Sequence, residues 1–443
     1  MPKITFVGAG STVFAKNILG DAMLTESLSG SDISLYDIDA KRLDESRRMV
    51  ENLNESINGG RASVTAHLGV ENRKAALRDA DFVVNAIQVG GYEPSTVIDF
   101  EIPKKYGLKQ TIGDTLGIGG IFRGLRTVPV MMEIAAEMEE VCPDAWLLNY
   151  TNPMAIVTGA VLRGSSVKTV GLCHSVQGCA SGLLRRVGML EEVKDLRWRI
   201  AGINHMAWLL EITDGDVDLY PEIKRRAFEM NDKALSGGEK HGDMVRFEIM
   251  RHFGYYVTES SEHNAEYTPY WIKEQFPELI DAYNIPLDEY PRRCVNQIAR
   301  WEKQREELIG DVKLSHERTH EYGSYIMNAI ETGEFFRIAG NILNRGFIPN
   351  LPDDACVEVP CLVDKNGVQG CYFGPLPPQC AGLNMTNISV QECTILAALH
   401  GDRDLVYHAA YLDPHTAAEL PLGKIRSLCD DLIEAHGDYL RLK

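Results

Sequence analysis

Short unbroken apolar runs recur through the first half of the chain, and longer stretches with helical spacing lie between them. Residues 4–7, 33–36, 82–86, 146–149 and 169–172 read as strands. A strand covered on both faces has no polar side, so its sequence is continuously apolar rather than alternating. Residues 41–54 and 126–141 carry the spacing of amphipathic helices. Strands alternating with helices predict a parallel sheet with helices on its faces, an α/β arrangement. From about residue 195 the texture changes. Residues 198–203 and 206–212 predict longer strands, and residues 221–253 and 289–307 predict charged helical segments. A Pro- and Cys-bearing β segment is expected over residues 348–383, and a helical close from Val390. Residues 231–242, polar and Gly-bearing, predict an exposed loop. The change of texture divides the chain into residues 1–194 and a mixed α/β unit over residues 195–443.

Composition narrows the partners. Over 443 residues, 45 Lys+Arg stand against 63 Asp+Glu, a formal charge of −18. Such an excess repels phosphate backbones and anionic lipid surfaces, so neither nucleic acid nor a membrane is an expected partner. With 44% hydrophobic and 24% charged residues the chain has ordinary globular proportions, and disordered or fibrous classes are excluded. Ten cysteines, with no Cys-x-x-Cys pair, are too sparse for a disulfide scaffold or a zinc ribbon. No apolar run approaches the roughly 18 residues that span a bilayer, and no leader precedes the first strand. The expectation is a soluble, cytoplasmic protein with reduced thiols.

Candidate chemistry begins directly after the first strand, at Gly8-Ala9-Gly10-Ser11-Thr12. Glycines there let backbone N–H groups approach a pyrophosphate, and the following helix directs its positive end at it, as in a Rossmann-type dinucleotide site. The third fingerprint glycine is replaced by Val13, and a plain tight turn would read the same way. Asp37, closing the second strand, is where a carboxylate would accept bonds from ribose hydroxyls; it would also serve as a helix cap. Together these residues point to NAD. After the fourth predicted strand, Asn149-Tyr150-Thr151-Asn152-Pro153-Met154 resembles the Asn-Pro turn that faces the nicotinamide in the lactate and malate dehydrogenase superfamily. A 2-hydroxyacid dehydrogenase would also need a histidine in a Gly-x-His-Gly-Asp setting. The nearest string, Gly238-Glu239-Lys240-His241-Gly242-Asp243, has an extra residue and lies in the polar segment, so His241 reads as a solvated loop residue.

Two further residues invite a metal. Cys173 follows a predicted parallel strand, at the end of the sheet where such folds bind ligands, and His205 sits between two predicted strands. A thiolate and an imidazole together would hold a divalent transition ion and leave positions open for substrate oxygens. Taken singly, each reads equally as a buried thiol or a satisfied core histidine.

These segments occur in one order with Gln88-Val89-Gly90-Gly91-Tyr92-Glu93, Gln110-Thr111-Ile112-Gly113-Asp114-Thr115-Leu116-Gly117, Gly171-Leu172-Cys173-His174-Ser175, Gly202-Ile203-Asn204-His205-Met206 and Glu262-His263-Asn264-Ala265-Glu266-Tyr267. In that order they resemble glycoside hydrolase family four, and within it the branch acting on α-galactosides. The resemblance implies a Rossmann-type sheet domain of the dehydrogenase superfamily, NAD⁺ and Mn²⁺ as resident cofactors, and assembly as a homodimer or homotetramer. It also implies redox-assisted elimination, outside the usual two-carboxylate scheme. The C3 hydroxyl is oxidised, the C2 proton becomes acidic and is removed, the aglycone leaves, water adds at C1, and hydride returns. On this resemblance Cys173 and His205 are metal ligands, Tyr267 is the base with Tyr270 as its alternative, and Asp114 tunes that base. His174 is the leaving-group acid. Asn149 and Arg293 contact the sugar, with Arg292 an alternative to Arg293. Gly8, Gly10, Ser11, Thr12 and Asp37 hold the cofactor. An α-glucosidase or α-galacturonidase of the same family, a 2-hydroxyacid dehydrogenase, and a non-catalytic NAD sensor remain as alternatives.

Overall fold

The computed structural model describes residues 1–309 and 313–443. Six strands form a parallel sheet: β1 (Lys3–Val7), β2 (Asp32–Asp37), β3 (Ser63–Leu68), β4 (Phe82–Asn85), β5 (Trp146–Asn149) and β6 (Lys168–Leu172). Their spatial order is β3-β2-β1-β4-β5-β6, the doubly wound order of Rossmann-type folds. The order reverses between β1 and β4. A crevice opens there at the carboxyl ends of the strands, and this is where such sheets place ligands.

The later strands extend the same sheet. They are β7 (Leu196–Ile203), β8 (Met206–Asp214), β9 (Val217–Asp218), β10 (Tyr256–Val257), β11 (Phe336–Leu343), β12 (Cys356–Asp364) and β13 (Gly367–Gly370). β11 joins antiparallel to β6 through Gly340↔Leu172 and Asn341↔Gly171, and the order continues β12-β7-β8-β10. Although β6 and β7 run in opposite directions, this register brings the end of β6 at Leu172 level with the end of β7 at Gly202. Those strands carry Cys173 and His205 at or just past their ends.

The elements differ from the sequence reading at four places. β3 was not expected, because its burial is shallow and its alternating residues form no apolar run. The helical close begins at Pro378, not Val390: proline is favoured in the first turn, where its missing N–H has no partner to lose, so a Pro-rich β reading hid a helix start. The segment expected as a loop starts inside the helix Tyr220–Leu235, where Asn231 is buried and donates to the Met244 carbonyl. The helix expected over residues 126–141 starts earlier, at Gly117. Its glycines admit close contact: a Cβ at Gly119 would lie 2.4 Å from the Gly113 carbonyl oxygen. All ten cysteines are free. Among the described residues no helix is long and apolar enough to cross a membrane.

Candidate active site

Cys173 and His205 come together: Sγ lies 3.2 Å from Nε2. Glu259 completes a triad whose ligand atoms all lie within 4.8 Å of one another, with its carboxylate 3.7 Å from His205 Nε2. Thiolate, imidazole and carboxylate form a donor set suited to a divalent transition ion. Glu259 was missed in the sequence, but its backbone is conspicuous. It has φ 68 in the left-handed region, a strained position for a residue with a side chain. The local field favours a cation. Burial opposes a charged imidazole at His205, yet Glu259 and Cys173 outweigh it and raise its pKa to about 10. His263 stacks edge-on beside His205, with ring centroids 5.2 Å apart.

The glycine turn fits a dinucleotide. Gly8 has φ 86, and a Cβ there would sit 2.8 Å from the backbone of Ala86, so the turn packs directly on the end of β4. Gly10 donates to Asp37 Oδ2 at 2.6 Å, and a Cβ on Gly10 would meet that oxygen. Asp37 thus braces the turn while remaining partly open to solvent. The helix Thr12–Met23 has no side-chain cap and no acidic residue in its first turn, leaving its positive end available to an anion. Thr12 has only its backbone to offer a ligand, because its buried hydroxyl is hydrogen-bonded to Ser46 Oγ at 2.9 Å.

One cavity joins the two ends. Its volume is about 330 Å³, within the range of small-molecule sites. Ser11 and Gln88 line one part, Cys173, His174 and His205 another, and Asp114, Asn152, Arg123 and Tyr290 form a polar wall. Across that wall Asn152 Nδ2 donates to Asp114 at 3.1 Å, and Arg123 donates to Tyr290 Oη at 2.9 Å. Burial would raise the Asp114 pKa, but Arg123, His263 and His205 hold it below the usual carboxylate value.

The profile described as Family 4 glycosyl hydrolase matches residues 3–189, and that of the family's C-terminal domain matches residues 200–416. An α-galactosidase of Bacillus subtilis (strain 168) is 60% identical over 99% of both chains. The chain belongs to family 4 of the glycosyl hydrolases. A second curated member, an α-galactosidase of Rhizobium meliloti (strain 1021), is 31% identical and covers 99% of this chain and 89% of its own. Among solved family structures, a 6-phospho-α-glucosidase from gut microorganisms in complex with NAD and Mn²⁺ superimposes with TM-score 0.78. It is 23% identical and covers 100% of both chains, so it shares the fold.

Within this family fold the expected residues divide. Tyr267 is fully buried, and its hydroxyl lies 3.5 Å from His205 Nδ1. Burial first, then Asp114 and Glu266, push its phenol well above the ordinary value, so its ionisation calls for a nearby cation. Tyr270 is 45% exposed and packs against Phe253, away from the cavity. His174 reaches the cavity and bonds through Nε2 to Glu321 at 2.5 Å; this bond, above all, raises its pKa. Asn149 does not reach the cavity. Its amide is buried in the turn after β5, donating to the Thr151 carbonyl and Thr158 Oγ1 and accepting from Asn85. Arg293 also turns away, paired with Glu262 and Glu289, and Arg292 pairs with Glu289. Arg123, on the buried first half of the helix Gly117–Val141, lines the cavity instead. His241 packs on Phe247 and does not line the cavity.

Proposed function

We propose that this chain hydrolyses terminal α-galactosides by redox-assisted elimination, with NAD⁺ and Mn²⁺ as resident cofactors. The observation that carries the reading is the shared cavity, in which the Cys173–His205 pair faces the same space as Ser11 of the glycine turn. The sugar is assigned from the 60% identical α-galactosidase, against more distant α-glucosidase and α-galacturonidase relatives.

Gly8, Gly10, Ser11, Thr12 and Asp37 would hold the dinucleotide, and Cys173, His205 and Glu259 the divalent ion. When bound, these groups supply a reversible hydride acceptor for sugar C3 and a Lewis acid for its oxygens. Tyr267 takes the C2 proton at its phenolic oxygen. With Nε2 turned to Cys173 and given to the ion, His205 would carry its proton on Nδ1 and donate it to that oxygen, which favours the ionised phenol. His174, whose protonated form the bond to Glu321 favours, gives its proton to the departing glycosidic oxygen. Asp114 and Asn152 hold one wall of the sugar site, and Arg123, the cavity's arginine, takes the hydroxyl contact expected of Arg293.

The reading includes a division near residue 194 into a cofactor-binding and a substrate-binding unit, a cytoplasmic location, and a homodimer or homotetramer. Light scattering that reports a monomer at all working concentrations would remove the last of these. The deciding assay supplies nitrophenyl α-galactoside, α-glucoside and α-galacturonide with Mn²⁺, NAD⁺ and a thiol reductant. Nitrophenol release from the galactoside without accumulation of NADH is the expected result. NADH accumulating with a 2-hydroxy acid would make the protein a dehydrogenase, and cofactor binding without turnover would make it a sensor.

A further inference from the structure

Glu266 is 2% exposed, yet among the described residues its carboxylate is paired with no cation. It accepts three successive backbone N–H groups: Oε2 from Thr111 at 2.8 Å, both oxygens from Ile112 at 3.2 and 3.3 Å, and Oε1 from Gly113 at 2.8 Å. Successive N–H groups converging on one anion form a nest, which fixes the backbone that supplies them. The next residue along that backbone is Asp114. The next residue along Glu266's own chain is Tyr267. One carboxylate therefore bolts the segment carrying Asp114 onto the turn carrying Tyr267.

The rest of the segment is anchored in the same sense. Thr111 Oγ1 donates to the Glu262 carbonyl at 2.7 Å, and Gln110 Oε1 accepts from Gly119 N at 3.1 Å. The backbone N–H groups of Asp288 and Tyr290 donate to the carbonyls of Gln110 and Thr111. The segment is thus the joint where the sugar wall and the tyrosine turn meet, and Glu266 is the side chain at its centre. Hydrophobic packing alone would leave three buried N–H groups without acceptors, and a neutral side chain could satisfy only part of them.

We propose that Glu266 is a positioning residue for proton abstraction: by clamping residues 111–113 it sets the placement of Asp114 relative to the Tyr267 hydroxyl. This rests on Tyr267 being the base. The geometry makes the effect specific to the proton step, because Glu266 bonds to none of Gly8, Gly10, Cys173, His205 or Glu259.

Glu266→Gln keeps the volume but turns one acceptor into a donor, so it can hold one end of the segment and must release the other. In holoenzyme, kcat for the α-galactoside should fall about 10- to 100-fold with KM within about threefold, the size of a small misplacement at a reacting atom. The kinetic isotope effect with C2-deuterated substrate should rise, while Mn²⁺ and NAD⁺ affinities measured by calorimetry stay unchanged. Thr111→Val removes the hydroxyl that donates to the Glu262 carbonyl and lies against the Glu266 carboxylate, and leaves the backbone N–H bonds; it should move kcat and the isotope effect the same way, less far, and carries the test if Glu266→Gln does not fold. A lowered melting temperature with kcat, KM and isotope effect unchanged would overturn the proposal, leaving Glu266 a purely structural group. Wild-type enzyme without C2 exchange would instead overturn the assignment of Tyr267.

Discussion

Cys173 and His205 stand at the ends of two strands that are not neighbours, yet their side chains meet at 3.2 Å. The antiparallel strands β11 and β12 lie between β6 and β7 and set this distance. If the pair holds an ion, Cys173→Ser replaces an anionic sulfur with a neutral hydroxyl. Mn²⁺ affinity should fall by at least roughly 100-fold in calorimetry. Mild oxidation should inactivate the enzyme reversibly by the same loss. Near wild-type Mn²⁺ affinity in Cys173→Ser would remove the thiolate from the ligand set.

The two arginines give a paired comparison. Arg293→Ala breaks exposed ion pairs with Glu262 and Glu289, and such pairs contribute little, so KM should change less than about threefold. Arg123→Lys deletes the donors that reach Tyr290 and the Asn152 carbonyl, and KM for the galactoside should rise about 10-fold or more. The opposite ranking would return the sugar contact to Arg293.

Gly8→Ala places a Cβ against the Ala86 backbone at a φ of 86. The turn must open, at a cost of roughly 1–3 kcal/mol in stability. NAD⁺ affinity, followed by titration calorimetry, should fall at least about tenfold. Unaltered affinity would show that the turn does not contact the cofactor.

Glu358 carries a pH signature. It is buried on β12, and burial raises its pKa from 4.5 to about 7 against the pull of His205. The folded state therefore holds this proton more tightly than the unfolded chain. Its contribution is complete below about pH 4.5 and is lost as pH rises through about 7. Glu358→Gln has no proton to lose, so in metal-free protein its melting temperature should gain on wild type between about pH 5 and 8. A constant difference across that range would contradict the burial-driven shift.

The sequence exposed those parts of the site in which local pattern and chemistry coincide. The glycine turn follows an apolar strand, and Cys173 and His205 mark strand ends, so each was visible from its immediate neighbours. Glu259, Glu321 and Arg123 were not. Glu259 and Glu321 resemble ordinary surface acids until the fold turns them inward, and Arg123 lies in the part of its helix, Gly117 to Pro129, that is buried throughout. Asn149 shows the reverse: its motif is legible in the sequence, yet the turn bonds its amide internally and Asn152 lines the cavity. β3 was missed because an edge strand with shallow burial leaves no apolar run.

The central claim is that the C2–H bond is broken during hydrolysis, and solvent deuterium reads it directly. Nitrophenyl α-galactoside turned over in D₂O with Mn²⁺ and NAD⁺ should give galactose carrying deuterium at C2, because the proton taken by Tyr267 exchanges before C2 is reprotonated. Tyr267→Phe should lower turnover by about 10²–10⁴-fold while retaining NAD⁺. Galactose released at full rate with no deuterium at C2 would contradict elimination and require direct displacement at C1.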